Sequence, residues 1–177
     1  MKNKVYVFFA EGFEEIEALT VVDMLRRVDV DTVMVSIGND KTVNGAHGIP
    51  VVTDGIFTEF SYKDGTMAVL PGGMPGTNHL LAHEGVRQVL LSYQEAKKYI
   101  AAICAAPSVL GAAGLLEGRH ATCYPGFEEK LLGAKAMSDA VVIDGNIITS
   151  KGMGTAISFG AALISRLVSE EAAEELL

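Results

Sequence analysis

The residue best placed to do chemistry is a cysteine. Cys104 stands between the apolar run Tyr99-Ile100-Ala101-Ala102-Ile103 and the stretch Ala105-Ala106-Pro107. A short apolar run of this kind fits a parallel strand buried on both faces, and proline is favoured in the first turn of a helix. The thiol therefore falls at a strand-to-helix turn. Near a helix N-terminus, unpaired amides and the positive end of the helix dipole favour a thiolate and lower a cysteine pKa. Ala105 and Ala106 keep bulk away from the turn, as in the nucleophile elbow of hydrolases, where backbone amides can hold an oxyanion. A plainer reading stands beside this one. Free cysteines are among the most buried residues, and Cys104 would then be a small core residue.

The elements that must position this turn alternate along the chain. Residues 5–10 read as a buried strand, and 14–28 as a helix with Ile16, Leu19, Val22 and Leu25 on its inner stripe. A second strand covers 32–37, and 41–53 reads as a hairpin or glycine-turned loop around residues 44–48. A buried strand over 66–70 ends in Pro71-Gly72-Gly73, and helical pattern over 77–98 breaks near Gly85. After the 99–103 strand come an elbow helix (107–113), a short strand (120–123) and a short helix (126–132). Asp144-Gly145 between two apolar pieces, 140–143 and 146–150, is a strong hairpin signal. A core-packed helix over 155–168 and an acidic helical tail finish the chain. Strands interleaved with helices predict an α/β fold, an open, mainly parallel sheet covered on both faces, with ligands beyond the carboxyl ends of the strands. Three loops should meet there: residues 12–17, the turn at 71–73, and the Cys104 elbow.

At 177 residues with 49% hydrophobic content, one domain with a full core is expected. A formal net charge of −8, with scattered basic residues, argues against a nucleic-acid partner. The apolar part of the N-terminus is too short for a signal peptide and no run approaches a membrane span, so the expected setting is cytoplasmic, without membrane contact. Cys104 and Cys123 are then expected as free thiols.

Several motifs occur together and in order. They are residues 10–17 (Ala-Glu-Gly-Phe-Glu-Glu-Ile-Glu), Val22-Asp23 with Arg26-Arg27, Val69-Leu70-Pro71-Gly72-Gly73, residues 101–107 around Cys104, and residues 148–155 (Ile-Thr-Ser-Lys-Gly-Met-Gly-Thr). This combination resembles the ThiJ/PfpI superfamily over nearly the whole chain, and more closely its DJ-one branch, named for the parkinsonism-associated protein deglycase. The resemblance implies a flavodoxin-like fold with a nucleophile-elbow cysteine, usually as a homodimer, and no cofactor or metal. It implies a catalytic pair, Cys104 and Glu17. A carboxyl group close to a thiolate does not readily ionise as well, so the pair shares a proton, with Glu17 as the protonated donor. Gly73 and Ala105 would turn their amides toward a developing oxyanion, with Gly72, Tyr124 and His47 around the pocket. Arg27, like His47, falls where basic side chains lie near the dimer interface. Glu14 and Glu15 read as exposed acids in a first turn, where carboxylates suit the helix dipole.

Tyr124 departs from the branch, several members of which carry a histidine at this position near the cysteine, and Ala105 stands where other branches place one. Cysteine peptidases need an imidazole, so peptidase activity is the least favoured reading. Tyr124 is expected to orient substrate or to wall the pocket. Cys123 is expected to be a core thiol on the opposite face of its strand. His79 and His83 share a helix face at metal-ligand spacing but lack a third ligand, which favours a solvated face. The resemblance then implies a cofactor-independent glyoxalase III or deglycase acting on methylglyoxal, glyoxal or their early adducts. The alternative is a cysteine-based oxidative-stress sensor or chaperone-like protein.

Overall fold

The computed structural model of the protein describes residues 3–177. Strand β1 (Lys4–Phe9) leads into helix α1 (Glu15–Arg27) and strand β2 (Asp31–Ser36). Short strands β3 (Thr42–Asn44) and β4 (Pro50–Val52) pair as an antiparallel hairpin, followed by β5 (Gly55–Ile56). Then come β6 (Met67–Leu70), α2 (Gly76–Ala82), α3 (Glu84–Glu95), β7 (Tyr99–Ile103) and α4 (Pro107–Ala112). The remainder comprises β8 (His120–Ala121), β9 (Lys135–Ala136), β10 (Val141–Asp144), β11 (Ile147–Ser150), α5 (Ala156–Leu167) and α6 (Glu170–Leu176).

Seven strands form one sheet in the order β10-β11-β7-β6-β1-β2-β5. All neighbours are parallel except β10 and β11, whose antiparallel pairing follows from the Asp144-Gly145 turn, where Gly145 takes a φ of 61°. This is the α/β, flavodoxin-like sheet that the alternation of elements predicts. Alternate side chains of β1 divide the interior. Tyr6 and Phe8 join the cluster that includes Leu80, Leu90, Leu110 and Ile100. Val5, Val7 and Phe9 join Val21, Leu25, Phe159 and Leu163 on the other face. A period of two thus places α2, α3 and α4 on one side of the sheet and α1 and α5 on the other. No helix among the described residues is long and apolar enough to cross a membrane.

Some expectations are corrected. In α1, Ile16 is 49% exposed while Glu15, Glu17, Ala18, Val21, Val22, Met24 and Leu25 are buried. The inner stripe is rotated because the first turn faces a polar site rather than the core. The 77–98 segment breaks at His83, whose Nδ1 caps α3 by accepting from the Val86 amide at 3.0 Å, so His79 and His83 do not share one helix. The strand at 120–123 is only two residues long and pairs with β9, and residues 126–132 contain a 3-10 turn at Glu128–Lys130 instead of an α-helix. Strand β5, of two residues, is too short to show a period in the sequence.

Candidate active site

The site forms beyond the carboxyl ends of β1, β6, β7 and β11. Cys104 follows β7 directly and has a φ of 66°. For a residue with a Cβ this left-handed conformation costs roughly 1–3 kcal/mol and persists only when the surroundings fix it. They do so on both sides. The Cys104 amide donates to the Ser150 carbonyl at 2.9 Å, and its carbonyl accepts from the Tyr124 amide at 2.8 Å. The elbow expected from the sequence is therefore present.

Glu17 reaches the thiol from the first turn of α1. Glu14 caps this helix, its Oε2 accepting from the Glu17 amide at 2.7 Å, while the Glu14 amide donates to the Gly72 carbonyl at 2.9 Å. The Gly72 amide in turn donates to Glu17 Oε2 at 2.9 Å. Glu17 is 1% exposed, and its Oε1 is buried without a hydrogen-bond partner. Two glycines allow this packing. A Cβ on Gly72 would stand 2.5 Å from Glu17 Oε2 and 2.6 Å from Cys104 Cβ. Gly73, with a φ of 94°, brings its backbone so close to the α1 entry that a Cβ would lie 2.3 Å from the Glu14 amide nitrogen. The three expected loops do meet.

The electrostatics differ from a simple helix-dipole picture. Burial pushes the Glu17 carboxyl up to about 7. Burial, and then the Glu17 carboxylate, push the Cys104 thiol up to about 12, against the pull of hydrogen bonds from the Ala105 and Gly73 amides. The higher value describes a thiol facing an already ionised carboxylate, which makes it the second proton lost by a coupled pair. The pair therefore loses its first proton as pH rises through about 7 and holds a single negative charge above that. Gly72 favours that charge on Oε2, whereas Gly73 and Ala105 favour it on sulfur. The lowered cysteine pKa expected from a helix N-terminus is thus corrected: α4 has six residues, Cys104 precedes its cap at Ala106, and the stabilising donors are the two loop amides.

Tyr124, 51% exposed, walls the site. Gly152, in the turn after β11, faces it: a Cβ there would lie 3.2 Å from Tyr124 Cδ2 and 3.8 Å from both Cys104 Sγ and Glu17 Oε1. Nothing in the sequence singles out Gly152 within the 148–155 motif, since only the fold brings that turn over the cysteine. His47 is directed elsewhere. Its Nδ1 and amide each lie 2.7 Å from the Glu15 carboxylate, and Nδ1 lies 4.0 Å from Glu14 Oε1. Glu15 is 4% exposed, so the expectation of an exposed first-turn acid is corrected. Donor atoms of Glu14, Glu15 and His47 lie within 4.8 Å of one another, but these carboxylates already accept from the Glu17 amide and from His47. Cys123 lies beyond the end of β8 but is 3% exposed, packed in the cluster with Leu110, Ala121 and Leu131, and Arg27 pairs with Asp23 at 2.7 Å on the surface.

Protein DJ-1 homolog B of Arabidopsis thaliana is 38% identical over 176 residues, which cover 98% of this chain and 40% of the relative. The chain spans 40% and 44% of the lengths of the two Arabidopsis relatives it matches. The glutathione-independent glyoxalase DJR-1.2 of Caenorhabditis elegans is 32% identical over 178 residues, covering 99% of this chain and 94% of that protein. The solved structure of oxidized Toxoplasma gondii DJ-1 superposes with a TM-score of 0.95 at 32% identity, covering 98% of this chain and 95% of that one. The sequence pattern of the DJ-1/PfpI family matches residues 3–166, and with relatives of this similarity along its length the chain belongs to that family.

Proposed function

We propose that the protein is a cofactor-independent enzyme of the glyoxalase III or deglycase type, acting on methylglyoxal, glyoxal or their early adducts. The observation that carries this reading is the pairing of a thiol, fixed at a φ of 66° and faced by two amides, with a buried carboxyl group whose pKa is pushed up to about 7. The name of the nematode relative supports it.

In this reading Cys104 Sγ bonds to the aldehyde carbon of a 2-oxoaldehyde, and the carbonyl electrons become an oxyanion held by the Gly73 and Ala105 amides. Glu17 supplies a proton to that oxygen and, now a carboxylate, removes the aldehyde-carbon proton; the proton on the first oxygen passes to the ketone oxygen, giving an enediolate, and Glu17 returns its proton to the former ketone carbon. The first carbon is oxidised to a thioester as the ketone carbon is reduced to an alcohol, so no external oxidant is needed. Water cleaves the thioester, releasing a 2-hydroxy acid and restoring the thiol. Tyr124 stands where an imidazole would assist, and turnover is accordingly slow. The test is lactate formation from methylglyoxal without glutathione, comparing the protein with Cys104→Ser and Glu17→Ala. Turnover lost in both variants supports the assignment; an inert, folded and reduced parent protein removes it.

A second reading is a peroxide sensor. Two amides and a protonated carboxyl group around sulfur suit a sulfinate formed by two successive oxidations with peroxide. Gain of two oxygens at Cys104, without carbonyl turnover, is its signature in peptide mass spectra. We further propose a homodimer formed through α1, the turn that enters α5 and the start of α5, where Ile16, Met153 and Ile157 are 49%, 54% and 58% exposed. A cytoplasmic setting accords with two cysteines that are both free.

A further inference from the structure

The entry to α1 carries a cluster of groups that the carbonyl chemistry does not use. Glu14, Glu15 and His47 bring two carboxylates and an imidazole together, with one donor atom of each within 4.8 Å of the others. The acids are not ordinary surface groups. The side chains of Glu14 and Glu15 are 12% and 5% exposed, whereas that of His47 is 69% exposed. Backbone amides fix one oxygen of each carboxylate: Glu14 Oε2 accepts from the Glu17 amide and Glu15 Oε1 from the His47 amide, both at 2.7 Å. The other two oxygens share the same imidazole, whose Nδ1 lies 4.0 Å from Glu14 Oε1 and 2.7 Å from Glu15 Oε2.

The loop that carries His47 is held in place from the α1 side. The Ala46 amide donates to the Phe13 carbonyl at 2.8 Å, the Gly45 amide donates to the Ile49 carbonyl at 3.0 Å, and Phe13 pairs with Gly45 in an isolated bridge. Gly45 lets the loop close on the acid, since a Cβ there would overlap the Glu15 carboxylate. A metal site needs its carboxylates oriented by a second layer of hydrogen bonds, and here backbone amides supply that layer. A protonated imidazole offsets one of the two carboxylate charges; a dication offsets both.

We propose that Glu14 Oε1, Glu15 Oε2 and His47 Nδ1 bind one divalent transition-metal cation of the zinc or cobalt class. Donor-to-metal bonds of about 2.0–2.2 Å set neighbouring donors roughly 3–3.5 Å apart. The two separations from Nδ1 bracket that spacing, so a small rotation of the exposed imidazole completes the set. The ion replaces the His47–Glu15 hydrogen bond, releases any proton held on Nδ1, and takes water in its remaining positions on the exposed side. An imidazole donor selects such ions over magnesium and calcium, which prefer oxygen ligands throughout. The site stands whether or not Cys104 turns over carbonyl compounds.

The test titrates the full chain, stripped by a chelator and kept reduced, with cobalt(II) and zinc chlorides at neutral pH. Calorimetry should show one ion bound per chain. The cobalt form should show the weak visible bands of an oxygen and nitrogen site, without thiolate charge-transfer absorption in the near ultraviolet. Cobalt should shift the His47 ring resonances more than those of His79, His83 and His120. His47→Ala should weaken affinity about tenfold or more, as should Glu14→Gln, which keeps an oxygen to cap α1. Cys104→Ser should leave affinity within about twofold. The proposal is overturned by absence of stoichiometric binding, by thiolate absorption, by loss of the site in Cys104→Ser, or by unchanged affinity in His47→Ala. Displacement of cobalt by an equal concentration of calcium overturns the metal class. If Glu14→Gln disturbs the helix, His47→Ala decides alone, because its side chain is largely exposed.

Discussion

Glu17 and Cys104 impose opposite demands on one small volume. Each is pushed toward its neutral form by burial, yet amides from Gly72, Gly73 and Ala105 are spent on stabilising a single negative charge between them. This arrangement has a measurable consequence for stability. The Glu17 carboxyl, raised from 4.5 to about 7, retains in the folded state a proton that the unfolded chain releases. The associated stability is present below the unfolded value and is lost as pH rises through the folded one, a change of up to about 3 kcal/mol. Urea denaturation across this range should show stability falling for the native protein relative to Glu17→Gln, whose side chain cannot ionise. Parallel curves would remove the shift. Gly72→Ala should cost about 1–3 kcal/mol in the same assay, because its Cβ meets Glu17 Oε2 and Cys104 Cβ at 2.5 and 2.6 Å. It should abolish carbonyl turnover even where the variant remains folded.

At the level of elements, the first turn of α1 is the organising piece. Its cap, Glu14, ties the helix to the Gly72 turn, while Glu15 ties it to the β3–β4 hairpin through His47. Burial pushes the Glu15 carboxyl up, but hydrogen bonds from the His47 ring and amide outweigh this and hold it below its ordinary value. The hydrogen bond to Glu15, followed by its charge, raises His47 above the ordinary histidine value of 6.5. The Glu15 contribution is lost as pH falls through its lowered pKa, and the His47 contribution as pH rises through its raised one. The tie is therefore strongest from mildly acidic to neutral pH. A proton NMR titration should place the His47 midpoint above 6.5, and Glu15→Gln should return it toward that value. An unchanged midpoint would show that the contact is absent in solution. This turn also explains the misplaced apolar stripe: periodicity assigns Ile16 to the interior, but the inner positions of the turn belong to Glu15 and Glu17.

For the whole molecule, the outward position of Ile16 leaves apolar surface on one flank. Thr20, Asp23, Met24 and Arg27 line a common groove with Ile157 and the chain end at Leu176 and Leu177. If a second copy covers this flank, Ile157→Asp should convert a sedimenting dimer into a monomer with little change in the helical circular dichroism signal; a native monomer would overturn the dimer. The sequence by itself determined what local spacing can encode. Apolar runs of strand length alternating with helical periods dictate the main sheet's parallel character, Asp144-Gly145 dictates the one antiparallel pair within that seven-stranded sheet, and the Ile103-Cys104-Ala105 junction marks the elbow. Strands of two residues, such as β5 and β9, carry no such period. The tertiary structure alone decided which distant residues share a volume. It buried Glu15, turned His47 toward it, set the shared charge of Glu17 and Cys104 through loop amides, and laid Gly152 over the thiol. The physical reason is that burial and electrostatic coupling depend on separation in space, and a linear spacing rule does not contain those distances.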